Sequence, residues 1–501
     1  SPVNLKIHCL FHVPSGFWVV AVFLCFVIAL FLISKIWIKW ETCPVIVTFA
    51  DKPTPIWDIP FPAVTICPAS KTKQSLFNYT RVYHRVHDNI ATDEERWQFE
   101  ALNVLCITDK GKVEDSVANE STLQFLRDVA PTLDDAIEEC YWQMRRINCS
   151  EYFKVVLTEE GVCFTFNALS SKEMYTNMTV QAQSDPPSKM AWGWNYETGY
   201  EAVDDSTVKA FYPQRATFTG PFTSLRIVLR SYVNDMDYLC HGCEQGFRVH
   251  LHNPAENSWS SGHVLAVPLN TSVMMLAKPN LIQTSEGLRE LSPVRRSCLF
   301  SSERPLKFFQ MYSQDNCLYE CYVNMTVTHC GCATVGTPRI LGTPVCISMS
   351  SCLMDTYLEK VLNQSLLAMQ SGTDYGALPC DCLPSCTILK YDGEASVDTF
   401  PWEKSRRALG LPEERAGVER GGISRSQLNV YFNSLQFVSN RRSELYGHTD
   451  FLANFGGLLG LFTGFSVISL VEVGYYVSLR LWCDVRRRAA ERRRVELRQN
   501  R

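Results

Sequence analysis

Apolar positions are distributed along this chain in two ways. Residues 16–33 (GFWVVAVFLCFVIALFLI) form eighteen consecutive positions without a charge, followed by Lys35, Trp37, Lys39 and Trp40. Residues 451–479 (FLANFGGLLGLFTGFSVISLVEVGYYVSL) form a second apolar run closed by Tyr475 and Tyr476. Either run is long enough to cross a hydrocarbon core of roughly 30 Å, with aromatic and basic residues placed for the interface. Between them the period is short. Residues 224–232 (SLRIVLRSY) and 247–252 (FRVHLH) alternate as strands do, whereas 133–146 (LDDAIEECYWQMRR) and 318–326 are expected to be helical. Pro53, Pro55, Pro60, Pro62 and Pro68 exclude helix after the first run and favour strand edges and turns. No repeat or low-complexity tract interrupts the middle.

Charge and cysteine then give the runs a direction. The 501 residues hold 48 basic and 52 acidic side chains, a net −4 that argues against a nucleic-acid partner. The last stretch, 480–501, carries nine arginines against Asp484, Glu491 and Glu496, so it is +6 and the rest is −10. A basic flank of this kind marks the cytoplasmic side, and binding of anionic lipid is its second reading. With two spans the N-terminus lies on the same side, and residues 41–449 lie outside. A cleaved signal peptide is the alternative for the first run, which is longer than the apolar part of a leader and has only Lys6 as a basic residue before it. The first residue is Ser1, and the start is expected to be trimmed or incomplete.

Two independent features agree with an outside middle. All seven N-x-[ST] sequons fall there, at Asn78, Asn119, Asn148, Asn177, Asn270, Asn324 and Asn363. Of 21 cysteines, eighteen lie in the middle, with Cys9 and Cys483 at the inner ends and Cys25 in the first run. Cys317 and Cys321 are spaced i, i+4 and share a helix face, and Cys380 and Cys382 share a strand face, so a ladder of bridges between helix and strand follows. Zinc bound by Cys-x-Cys pairs and His329 is the rival reading, disfavoured where thiols are oxidised. No resident metal or cofactor is expected.

The second run is unusual for an anchor. Gly456, Gly460 and Gly464 form a GxxxGxxxG stripe suited to close helix approach, and helix dimerisation is the plain reading of that stripe. The run also holds Asn454, Thr463, Ser466, Ser469 and Glu472. A carboxylate at mid-membrane costs roughly 2.5–3.5 kcal/mol on insertion scales, with Glu assumed similar to Asp, so Glu472 either reaches the inner interface or faces water or an ion. Freed backbone carbonyls, hydroxyls and a carboxylate are hard ligands for alkali or alkaline-earth cations. No enzyme motif competes: G-x-S-x-G, H-E-x-x-H, a phosphate-binding loop and G-x-G-x-x-G after a strand are absent.

A set of motifs then spans nearly the full length: FPAVTIC (61–67), EGVCFTFN (160–167), GFRVHLHNP (246–254), YSQDNCLYEC (312–321), CDCLPSC (380–386), VYF (430–432) and NFGGLLGLFTGFSVISLVEVGYY (454–476). On these the chain resembles the degenerin and epithelial sodium channel superfamily, with the proline-rich TPIWDIPFPAVTICP (54–68) most like its arthropod pickpocket branch. The resemblance implies an α+β membrane protein in which two transmembrane helices flank a large disulfide-rich mixed α/β extracellular domain. It implies a homo- or heterotrimer at the plasma membrane, passing Na⁺ and often blocked by amiloride. The expected segments are a cytoplasmic N-terminus (1–15), first span (16–40), extracellular domain (41–449), second span (450–479) and basic cytoplasmic tail (480–501).

By residue, the resemblance implies a selectivity filter at Gly464, Phe465 and Ser466, where the second helix is interrupted. Glu472 falls where an acidic residue influences selectivity, Ala453 where large substitutions hold degenerins open, and Asp450 at the outer mouth. Asn454, Gly457 and Gly460 complete the expected pore lining. It also implies the pairs Cys298 with Cys386, Cys317 with Cys382, Cys321 with Cys380, Cys330 with Cys352, and Cys332 with Cys346. No partners are implied for Cys43, Cys67, Cys106, Cys140, Cys149, Cys163, Cys240 and Cys243.

Two departures stand out. The family's cytoplasmic His-Gly is missing, the nearest pair being His8-Cys9, and the paired acids of proton-gated relatives are not evident. Two rival classes share this topology. An ATP-gated receptor channel needs clustered basic residues to grip phosphates, and a non-conducting receptor or adhesion protein would leave Glu472 and the glycines as packing features. The expected mechanism is that an extracellular ligand or other stimulus moves the stiffened outer domain, and linkers near Trp57 and 446–450 pass the motion to the second helices.

Overall fold

A computed structural model describes residues 15–42, 45–106, 117–181, 190–201, 211–240, 245–258, 264–346, 352, 380–410, 422–445, 447–464, 466–480, 482–483 and 485–486. The chain divides into two compact units, one built from 1–47, 285–296 and 442–501, the other from 48–284 and 297–441.

Alternating apolar positions produce the larger unit's two large sheets. Its strands are β2 (Ala63–Pro68), β3 (Ile137–Trp142), β4 (Arg145–Ile147), β5 (Phe153–Thr158), β6 (Gly161–Phe166), β7 (Leu225–Tyr232), β8 (Phe247–His252), β9 (Val264–Val267), β10 (Thr271–Thr284), β11 (Ile388–Thr399) and β12 (Ile423–Tyr431); β1 (Val45–Phe49) precedes them. One sheet runs β10-β12-β7-β3-β4, with β11 antiparallel along β10 and β12 parallel to it. The other is antiparallel throughout, in the order β9-β8-β2-β6-β5. In β7 every second residue is buried, so Leu225, Ile227 and Leu229 face the core while Arg226, Val228 and Arg230 stay half-exposed. Both sheets contribute to a single core: Val64, Ile66 and Phe164 from one, Ile227, Leu428 and Val430 from the other. Phe61 of the FPAVTIC motif is wholly buried there, with ring contacts at 4.9 Å to Trp142 and 5.5 Å to Phe432. Gly246 enters β8 at φ +102°, where a Cβ would lie 2.2 Å from the Val267 carbonyl, so only glycine fits.

A second core is helical. It is formed by α2 (Tyr79–His87), α3 (Asp93–Leu102) and α4 (Glu120–Val129), with Tyr79, Leu102, Leu123 and Leu126 inside. Asn78 and Asn119 cap α2 and α4, accepting from the Arg81 and Thr122 amides at 2.7 and 3.1 Å.

The stretch 133–146 is a correction to the helical expectation. A Thr132–Asp135 capping box opens a helix of one turn, α5 (Leu133–Ala136), and the chain then becomes β3 and β4 around Gln143 and Met144, both at positive φ. Edge positions along β7 supply backbone partners for Ile137, Tyr141 and Trp142, residues that prefer strands, and this pairing outweighs local helix propensity. Residues 318–326 do lie within a helix, α7 (Gln314–Cys330), which follows the single turn α6 (Ser171–Met174).

Disulfides join α7 to the chain before β11 through Cys317–Cys382 and Cys321–Cys380, with Cys298–Cys386, Cys330–Cys352 and Cys332–Cys346 around them. Cys67–Cys163 staples β2 to β6, Cys140–Cys149 closes the β3–β4 turn, and Cys106–Cys240 ties the helical core. These sulfurs are therefore not open to the zinc reading. Cys43 and Cys243 lie outside the described residues. Among the described residues Cys25 and Cys483 keep free thiols.

In the smaller unit, α1 (Ser15–Thr42) is 28 residues long. Of these, Val19–Thr42 is apolar enough to cross a membrane and is almost entirely unburied. Among the described residues it is the one helix that meets that criterion, because the second apolar run is divided into α8 (His448–Thr463) and α9 (Val467–Gly474), followed by a π-helical turn, Tyr475–Arg480.

Candidate functional site

The division of the second run is a local backbone event. Gly464 takes the left-handed conformation at φ +67°, its amide donating to the Gly460 carbonyl at 3.0 Å, which ends α8 in the manner glycine favours. Two residues later the Ser466 hydroxyl accepts from the Ser469 amide at 3.3 Å and starts α9. Carbonyls in the last turn of α8 are thereby left without α-helical donors, available to water or an ion. Phe465 lies outside the described residues.

Spacing gives α8 two faces. Phe451, Phe455, Leu458, Leu459 and Phe462 are half-buried, and Phe451 packs against Trp37 and Trp40 of α1 with ring centroids at 5.9 and 5.3 Å. Asp450, Ala453, Asn454, Gly457 and Gly460, three or four residues apart, are all exposed on the other side. A Cβ built on Gly456, Gly457 or Gly460 would meet nothing within 4 Å. Within one chain, then, the glycines contact no helix, and Gly464 leaves the stripe because its backbone has left the helix. Asp450 sits in the first turn, accepting from the Gly447 amide at 3.3 Å, where an anion complements the helix dipole. The Asn454 amide turns back to the Asp450 carbonyl at 2.9 Å, and the Thr463 hydroxyl to the Leu459 carbonyl at 2.6 Å. Glu472 is exposed on α9.

The segment 285–296 packs on the end of α1 and on the chain leading to α8. The Arg295 guanidinium lies 4.7 Å from the Trp40 ring centroid and donates to the Trp40 carbonyl at 3.4 Å, and the Ser285 amide donates to the Arg442 carbonyl at 2.9 Å. Sequence reasoning did not find Arg295, because 255 positions separate it from Trp40 and neither residue belongs to a motif.

A family model described as the amiloride-sensitive sodium channel matches residues 4–476. The chain belongs to that family. Its members are ion channels assembled from related subunits, and they are not enzymes. Pickpocket protein 28 of Drosophila melanogaster is 28% identical over 96% of this chain and 77% of its own length. Degenerin mec-10 of Caenorhabditis elegans is 24% identical over 64% and 44%, and mouse acid-sensing ion channel 4 is 22% identical over 85% and 68%.

The sequon asparagines differ in exposure. Asn119, Asn148, Asn177 and Asn270 are exposed, Asn78 and Asn324 are half-buried, and Asn363 lies outside the described residues.

The larger unit of this channel-family chain also buries a titratable cluster that its sequence does not announce. Glu256, 6% exposed, bonds the Tyr196 hydroxyl at 3.2 Å and stands near Asp315, itself paired with Lys390 at 2.8 Å. Burial and the Asp315 carboxylate push Glu256 up to about 8, against the pull of Lys390. Burial holds His252 down at about 4. Between pH 4.5 and 6.5 the folded Glu256 keeps a proton that the unfolded chain releases, while His252 acts in the opposite sense, so their effects oppose. From 6.5 to 8 only Glu256 contributes, and stability falls as pH rises. Glu256→Gln is expected to flatten the melting temperature over that window and to raise it by several degrees at pH 8, read by thermal melts of the purified chain. A wild-type profile flat from pH 6.5 to 8 would contradict this.

Proposed function

We propose that this chain is a subunit of a homo- or heterotrimeric, amiloride-sensitive Na⁺ channel of the plasma membrane, gated through its larger unit. In this reading α1 and the α8–α9 run are its two spans, both termini are cytoplasmic, and residues 41–449 are extracellular. The observation that carries it is the two-faced α8, with one face turned to α1 and the Asp450–Gly460 face left open above a helix break at Gly464–Ser466. Three copies brought together on the open face would enclose a path lined by Asp450, Ala453, Asn454, Gly457 and Gly460. The belt at Gly464, Phe465 and Ser466 would present carbonyls in place of hydration water, and three Glu472 carboxylates would concentrate cations below it. A stimulus acting on the larger unit reaches the helices through segments adjoining the Trp40–Arg295–Phe451 packing.

Whole-cell recording from an otherwise silent cell tests this, with Na⁺ and then K⁺ outside and with amiloride added. The expected result is an inward Na⁺ current that amiloride blocks. If the wild type is silent, a bulky residue at Ala453 is expected to hold the pore open. Glycosylated surface protein that conducts in neither form would overturn the reading in favour of a non-conducting receptor.

A further inference from the structure

A cavity of about 410 Å³ lies wholly within the larger unit, between α4, the β5–β6 hairpin, α6 and the chain after β8. That volume falls in the range of small-molecule sites. Its walls combine two chemistries. Val155, Leu169 and Met174 supply an apolar surface, and Arg127, Lys154 and Arg339 bring three cationic groups to the lining against one carboxyl, Glu256. Burial and the Asp315 carboxylate favour the protonated form of Glu256.

The two guanidiniums already receive a carboxylate. Glu120 faces Arg339 at 2.8 Å and Arg127 at 4.0 Å, through different oxygens, and its side chain is 64% exposed while Arg339 is 9% exposed. Glu120 is an exposed counter-ion to a buried arginine, and a ligand's carboxylate taking its place would keep the Arg339 guanidinium paired while releasing Glu120 to solvent. Arginine forks match planar carboxylates in two-point geometry, so this head group suits the site. Lys154 donates to the Ala168 carbonyl at 3.0 Å on the lining and adds positive potential.

We propose that this cavity binds an amphipathic organic carboxylate, its head at Arg127 and Arg339 in place of Glu120 and its apolar body against Val155, Leu169 and Met174. The ligand is a free organic acid or the carboxyl end of a short peptide, which share this chemistry. The channel reading enters only in the consequence, that occupancy biases gating; binding itself is measured without current.

The test uses the full chain purified in detergent, with equilibrium dialysis against empty micelles as baseline. The probes are octanoate against octanol, and N-acetyl-Leu-Phe against its carboxyl-terminal amide. Saturable binding is expected for at least one carboxylate, with its uncharged partner at least tenfold weaker. Arg127→Gln, at a site 41% exposed, should weaken the carboxylate about tenfold and leave the uncharged partner unchanged. Val155→Trp, at a residue 55% exposed, should narrow the cavity on its apolar side and weaken binding of the carboxylate without changing the melting temperature. Octanoate binding alone identifies a free acid and peptide binding alone a carboxyl terminus; either supports the site. Absence of saturable binding, equal binding of acid and uncharged partner, or binding unaffected by both variants would overturn it, and none of these outcomes bears on whether the chain conducts.

Discussion

Gly464→Leu is expected to abolish Na⁺ current while leaving the amount of glycosylated protein at the cell surface within about twofold of wild type. The residue sits at φ +67°, where an L side chain costs about 1–2 kcal/mol, but a Cβ there meets nothing within 4 Å in its own chain. Folding of a single subunit should therefore tolerate the change. Conduction should not, because the same glycine sets the direction of the carbonyls at the break between α8 and α9, and three leucines would converge on the proposed path. Gly464→Ala separates the two effects: it carries the backbone cost without the bulk and should retain partial current. Surface biotinylation with patch recording reads both quantities. Wild-type current in the leucine variant would remove Gly464 from the pore.

The double substitution Cys298→Ser with Cys386→Ser should have the largest effect on stability. Both sulfurs are wholly buried, and their bridge closes a separation of 88 residues beside the Cys317–Cys382 and Cys321–Cys380 rungs. With those two rungs intact the bridge closes a loop of only about 24 residues, so in the chain-entropy model its removal costs roughly 3–4 kcal/mol, and two wholly buried hydroxyls add a desolvation cost. Cys332→Ser with Cys346→Ser, across 14 residues, should cost roughly 3 kcal/mol. The expected outcome is a strong loss of mature surface protein for the first pair and a smaller loss for the second, in the same order as their melting temperatures. A first pair that matures and melts like wild type would show that the α7 region is held without that bridge.

Tertiary context also explains where local pattern failed. The string LDDAIEECYWQMRR has the apolar spacing of a helix, yet only its first turn is helical, because β7 offers a ladder of partners, broken by one bulge at Glu138, to Ile137–Trp142. Both β7 and β8 were readable as strands from their alternation, and burial alternates along β7, whereas β8 is buried on both faces from Val249 to His252. The glycine stripe shows the same limit from the other side. Spacing placed Gly456, Gly460 and Gly464 on one helix, but a left-handed Gly464 removes the third member.

The sequence by itself determined the first apolar helix, the alternating strands, the helical spacing of Cys317 with Cys321 and, through motifs spread over most of its length, the family. These are properties of near neighbours or of strings long enough to be specific, so they need no knowledge of what packs where. Only the tertiary structure decided that Arg295 caps Trp40, that Glu256 is buried beside Asp315, and that Arg127 and Arg339 share Glu120 at the edge of a cavity. Apart from Glu120 and Arg127, two turns apart on α4, these join residues tens to hundreds of positions apart. Their pairing carries no sequence period, and their chemistry depends on burial, which the fold confers.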